Sequence, residues 1–164
     1  MKLAFDAHYT NTTTRLIAAA FHDWTDAEPA ELFEWTSGPA AGYEPGRFYL
    51  REMPLILEAL RDFDLAEIDV IVVDGYVYLN AGERLGLGGH LYQELGECIP
   101  VVGIAKSYFR DTNAAAVLRG ESKKPLYVTA FGMEQETAAD HLREMAGNYR
   151  MPDILARVDR MTKE

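Results

Sequence analysis

The sequence predicts an α/β fold on a mixed sheet, antiparallel over its first strands and parallel after them, with helices on both faces. Three observations carry that expectation. Short apolar runs bounded by turn residues crowd the first 36 positions; a helical periodicity follows at 53–60; and continuous apolar runs at 69–74 and 100–105 then alternate with further helical patterns.

Length and composition set the frame. The 164 residues suit a single domain, 1–164, with a core of its own. Apolar residues make up 48 % and charged residues 26 %, ordinary folded-protein usage that excludes wholesale disorder. No apolar run approaches the roughly 20 residues of a membrane helix, and Met1 to Phe5 runs into Asp6 without a leader-like apolar stretch, so a cytoplasmic protein is expected. The lone Cys98 allows no intrachain disulfide and reads as a structural thiol. A net charge of −10 disfavours a simple polyanion binder, so any nucleic acid must meet a local basic patch.

Residues 2–6 read as a short buried strand ending in Asp6. Asn11-Thr12-Thr13-Thr14 then supplies turn chemistry, so a hairpin into a second strand at 15–21 is expected, with a third at 31–36 after the turn Asp26-Ala27-Glu28-Pro29. A loop at 37–42 and a tight Pro-Gly turn at 43–46 lead into a helix. Met53, Ile56, Leu57 and Leu60 share one face of it, Pro54 is tolerable only within its first turn, and Glu52 sits at its start, where the macrodipole favours the charged form.

The run 69–74 has the apolar continuity of a central parallel strand. A helix is expected at 84–97, although Gly86, Gly88 and Gly89 cost it about 1 kcal/mol each relative to Ala, which implies close backbone packing or access. A second buried strand at 100–105 ends at Lys106-Ser107. A short helix at 113–118, a strand at 126–130, a helix at 134–146 and a last helix at 152–160 complete the chain. Three strands followed by helices alternating with strands match a ribonuclease H-like layout.

Three acids stand where apolar runs meet turn chemistry: Asp6, Glu52 and Asp74. Singly, each is an ordinary turn, capping or helix-start residue. Together they offer the hard oxygen donors that Mg²⁺ takes, and such an ion activates water and stabilises charge developing on a phosphate. Phosphodiester hydrolysis is the reaction this chemistry suits. His8 lies two residues from Asp6, on the same face of an extended strand, and is a further candidate.

The local contexts of these acids resemble the endonuclease V family along the chain. Asp6-Ala7-His8-Tyr9 is similar to its first strand motif. The segment from Tyr43-Glu44-Pro45-Gly46-Arg47 to Arg51-Glu52 resembles its Tyr-x-Pro-Gly element, and Val72-Val73-Asp74-Gly75 its Val-Asp-Gly strand end. Leu85-Gly86-Leu87-Gly88-Gly89-His90-Leu91, Val102-Gly103-Ile104-Ala105-Lys106-Ser107, Tyr149-Arg150-Met151-Pro152 and Asp159 continue it in order.

That resemblance implies an endonuclease dependent on Mg²⁺ or Mn²⁺ that cuts DNA or RNA near inosine, with a part in DNA repair and acting as a monomer. It implies Asp6, Glu52 and Asp74 as metal ligands, Lys106 at the active site, and Asp159 as a late acid of the same motif. It further implies Tyr43 in a strand-separating wedge, Pro45 among the substrate-binding residues, and Gly46, Gly75, Gly88 and Gly89 around a flipped base, where glycine permits close approach. Three positions depart from the family pattern: Val77 where a glycine is usual, Asn80 where a histidine follows that segment, and Met133 after Gly132 where a histidine is usual. Val77 and Met133 motivate an alternative, a nucleic-acid- or protein-binding module with reduced or lost nuclease activity.

Overall fold

Period-two alternation decides how the sheet divides its side chains. In the computed structural model, which describes residues 1–39, 49–82 and 84–164, the first strand β1 (Lys2–Tyr9) sends Ala4 to one face and Leu3 and Phe5 to the other. It pairs antiparallel with β2 (Thr14–Phe21) along its whole length, and β2 pairs antiparallel with the edge strand β3 (Glu31–Ser37). Asp6 is therefore not the end of β1: pairing with β2 carries that strand three residues further.

Helix α1 (Tyr49–Leu60) buries Leu55, Ile56, Ala59 and Leu60, with Met53 and Leu57 partly buried beside them. It begins before the apolar periodicity does. Pro54 consequently falls in the second turn, and its ring removes the N–H that would bond the carbonyl of residue 50. Glu52 stays within the first turn, as expected.

The apolar run after α1 forms β4 (Val70–Asp74), and that at 100–105 forms β7 (Val101–Ala105). Between them lie a two-residue hairpin, β5 (Tyr78–Leu79) with β6 (Arg84–Leu85), and helix α2 (Leu87–Glu94). The sequence pattern placed residues 84 and 85 in the helix; their pairing with β5 claims them instead.

The short helix expected at 113–118 is also overturned. Alanine-rich as it is, that stretch is β8 (Ala115–Val117), a sheet edge whose Ala115 and Val117 are buried while Ala116 faces solvent. It pairs antiparallel with β9 (Leu126–Phe131), so tertiary pairing outweighs local helix propensity. Helices α3 (Gln135–Glu144) and α4 (Asp153–Thr162) follow.

The seven long strands run in the order β3-β2-β1-β4-β7-β9-β8. β1, β4 and β7 are mutually parallel, whereas β9 enters antiparallel to β7. Helices α3 and α4 cover the face of Ala4, Val72 and Ile104; α1 and α2 cover that of Phe5, Val73 and Val101. This is the mixed sheet with helices on both faces that the pattern predicted.

Glycines let α2 lie close to the loop after β4. A methyl group at Gly88 would stand 2.7 Å from Val77 Cγ2 and 3.1 Å from Val101 Cγ1. Gly88→Ala is therefore expected to lower stability by about 1–3 kcal/mol through overpacking. Combining it with Val77→Ala should recover part of the loss in a double-mutant cycle read by denaturant unfolding. Strict additivity would show that the two sites do not share this space.

Candidate active site

Parallel register begins the assembly of the site. Phe5 lies opposite Val73 and Val73 opposite Gly103, so the next residue on each strand comes out at one level at the carboxyl edge of the sheet. On β1 that residue is Asp6, on β4 Asp74 and on β7 Ile104. Alternation turns Asp6 and Asp74 toward the face covered by α4, and Lys106, two residues past Ile104, belongs to the same side. Asp6, Asp74 and Lys106 line one hollow with Met151, Leu155 and Val158, whose apolar side chains form its floor against α4.

Two helices complete the charge pattern. From α4, Asp159 Oδ1 accepts from Lys106 Nζ at 3.2 Å, and both its oxygens accept from Lys163 Nζ at 3.2 and 3.1 Å. From the opposite face of the sheet, Glu52 on α1 brings a third carboxyl to the neighbourhood of Asp6 and Asp74. Behind Lys106, the Arg150 guanidinium donates to the carbonyls of Lys106, Pro125 and Lys124, the last two at 2.8 and 3.0 Å. Sequence reasoning placed Arg150 in a motif but not in this structural role.

Electrostatics show what the crowding does. Burial, reinforced by Asp74, pushes Asp6 up to about 7, although it accepts the Ala7 N–H at 2.9 Å. Glu52 is pushed to about 8, first by burial and then by Asp74 and Asp6. Asp74 is also raised by burial, opposed by Lys106. Burial would raise Asp159 too, but bonds from Lys163, Lys106 and Asp6 outweigh that and hold it low. Lys106 loses something to burial, yet Asp74, Asp159 and Asp6 keep its ammonium above the usual range. Asp6, Glu52 and Asp74 repel one another, and Lys106 and Lys163 offset part of that charge.

Other expected site residues are placed differently. Tyr43, Pro45 and Gly46 lie outside the described residues. Gly75 has φ +116° and nothing within 4 Å of where a Cβ would stand, so the backbone beyond Asp74 is open to approach. Gly88 and Gly89 are buried, and the close contacts expected of them are made with the chain's own Val77 and Leu85. His8 shares the strand face of Asp6, but the described hydrogen bonds and ion pairs do not tie it to the acids. Cys98 is exposed rather than packed.

Among the described residues no group of three or more His, Cys, Asp or Glu side chains is placed to hold a metal ion by itself. The donor chemistry nevertheless fits Mg²⁺ or Mn²⁺. Magnesium commonly binds through one or two carboxylates, filling its shell with water and substrate phosphate instead of a full protein cage. Mutually repelling carboxyls at one strand edge supply those oxygens and the charge to attract the ion.

The mixed sheet, its strand order and this acidic edge make the chain a ribonuclease H-like α/β protein. Its structure is similar to solved endonuclease V structures, at sequence identities low enough that the likeness concerns the fold. That of Ciona intestinalis, in complex with DNA containing an inosine, gives a TM-score of 0.83 at 16 % identity, covering 99 % of this chain and 83 % of that one. The Bacillus subtilis structure gives 0.77 at 20 % identity, covering 99 % and 78 %; the human catalytic domain gives 0.77 at 19 %, covering 99 % and 80 %. Among curated proteins no sequence matches the chain. The endonuclease V family model, however, matches residues 3–121, and the chain belongs to that family. The matched segment contains Asp6, Glu52, Asp74 and Lys106; Asp159 lies beyond it.

A pH dependence follows from the raised carboxyls. Asp6 and Glu52 bind their protons more tightly folded than unfolded, so the stability this contributes is full below their unfolded values near 4 and is lost as pH rises through 7 to 8. Melting temperature without metal should fall from pH 5 to pH 8, and Glu52→Gln should flatten that fall. Millimolar Mg²⁺ should raise the melting temperature more at pH 8 than at pH 5. An ion effect that is equal at both pH values would contradict this electrostatic picture.

Proposed function

We propose that the protein is a Mg²⁺- or Mn²⁺-dependent endonuclease that hydrolyses phosphodiester bonds in DNA or RNA near deaminated bases such as inosine, acting as a monomer. The observation that carries this reading is the convergence of Asp6, Asp74 and Glu52 from two strands and a helix on one edge of the sheet, with Lys106 beside them. Family membership supports the nuclease class. The inosine-containing DNA held by the Ciona relative is the reason for preferring a deaminated base.

Asp6, Asp74 and Glu52 would hold the metal. When bound, the ion lowers the pKa of a water and stabilises charge developing on the phosphate during in-line displacement. Lys106 supplies a fixed ammonium to a phosphate oxygen, which competes with its present partner Asp159. Asp159, held ionised, keeps Lys106 charged and aimed at the acids. The floor of Met151, Leu155 and Val158 limits water beneath the carboxyls, which strengthens each interaction above it. Open backbone at Gly75 allows a base to come close to the strand end.

The direct test is cleavage of matched strands, inosine against adenosine, with and without Mg²⁺ or Mn²⁺. The wild type should cut the inosine strand only with metal present, and Asp74→Asn should abolish cutting while its circular dichroism and melting remain near wild type. Full activity in Asp74→Asn would exclude the assignment. Equal cutting of both strands would remove the base preference and leave the nuclease.

A further inference from the structure

The overall acidity makes the placement of cations informative. Five of the chain's 16 Lys and Arg residues fall between 106 and 125, namely Lys106, Arg110, Arg119, Lys123 and Lys124, against only Asp111 and Glu121. Arg119 is buried: it donates to the carbonyls of Met145, Gly147 and Tyr149 at 2.6, 3.3 and 2.8 Å and so fixes the α3–α4 connection to the β8–β9 turn. Arg150 joins that connection to the backbone of Lys106, Lys124 and Pro125. Three separate segments thus form one shelf, whose inner end is Lys106 at the carboxyl cluster.

Exposed aromatics stand on the same shelf. Tyr108 is 64 % and Tyr149 77 % exposed, well above the large apolar side chains of the core. Tyr108 rests edge-on against Tyr127, with ring centroids 5.8 Å apart, which braces it while leaving most of it in water. Tyr149 borders a shallow recess with Glu121, Ser122, Asn148 and Arg150. Lys123 and Lys124 are exposed on the β8–β9 connection, and Arg110, also exposed, lies 3.8 Å from Asp111. Aromatic faces interleaved with cations are the components of a single-strand platform: rings stack on unpaired bases, and Lys and Arg neutralise the backbone. Paired bases keep their faces within the duplex stack and have less to offer such rings.

We infer that this shelf binds the single-stranded nucleic acid that leads to the carboxyl cluster, with bases stacked on Tyr108 and Tyr149 and phosphates drawn to Lys123 and Lys124. The inference deepens the nuclease reading and rests on it. It also answers how a chain of net charge −10 holds a polyanion: the attraction is concentrated beside the site.

Binding of a fluorescein-labelled 20-nucleotide strand, and of the same sequence as a duplex, is measured by anisotropy in EDTA, so that cleavage plays no part. Tyr108→Ala and Tyr149→Ala should each weaken single-strand binding by on the order of tenfold, with a smaller effect on the duplex. Tyr149→Phe, which keeps the ring, should bind as wild type. Lys123→Glu with Lys124→Glu should reduce the slope of log affinity against log salt by about 1–2.

Wild-type affinity in all the alanine and glutamate variants, or no strand binding by the wild type, would overturn the inference. Equal losses on strand and duplex would overturn its single-strand form, as would capture of an acidic protein by the shelf with no strand binding. The nuclease reading fails separately. Wild type that binds the strand through the shelf and never cuts it with metal sinks that reading and keeps the shelf; cutting that is insensitive to the shelf variants does the reverse.

Discussion

Two carboxylates held level on neighbouring parallel strands are the constraint on which the rest of this site depends. The β1–β4–β7 register leaves Asp6 and Asp74 little freedom to separate, because moving either would break the ladder from Lys2↔Val70 to Phe5↔Val73. Repulsion between them is therefore built into the fold. Burial of Asp6 amplifies it, since that carboxyl has lost water that would have screened it from Asp74.

The surroundings answer that repulsion only in part. Lys106 offsets some of the charge, but it is shared with Asp159, which also binds Lys163. Asp6 and Glu52 remain raised, so the cluster keeps a demand for positive charge that the protein's described residues leave unmet. A divalent ion and a substrate phosphate held by Lys106 would meet the two sides of that demand together. The same physics accounts for the carbonyl clamps of Arg119 and Arg150: a loop that carries Lys106 to the acids must be held still, and each guanidinium fixes several carbonyls at once.

Much of this was legible in the sequence because short apolar runs bounded by turn residues report buried strands directly. The strands at 15–21, 31–36 and 69–74 follow from apolar runs and turn residues, and Asp74 closes the last of them, whereas Asp6 lies on the first strand but not at its end. What was not legible depended on contacts between distant segments. Residues 113–118 have helix-forming alanines, and only pairing with β9 makes them a strand. Residues 84 and 85 look helical until β5 pairs with them. Gly88 and Gly89 read equally as an open pocket or as close packing, and Val77, which the sequence marked only as a departure from the family's usual glycine, occupies the space beside Gly88. The buried Arg119 carried no local signal, since its partners are backbone carbonyls almost thirty residues away.

Asp6, Glu52 and Asp74 are proposed to act together as one divalent-cation site. Calorimetric titration of Mn²⁺ into the wild type and into Asp6→Asn, Glu52→Gln and Asp74→Asn tests it most directly, at pH 8 and without nucleic acid. Saturable binding by the wild type and at least tenfold weaker binding, about 1.4 kcal/mol, in each variant are expected. Wild-type affinity that survives neutralisation of all three acids would contradict a shared site.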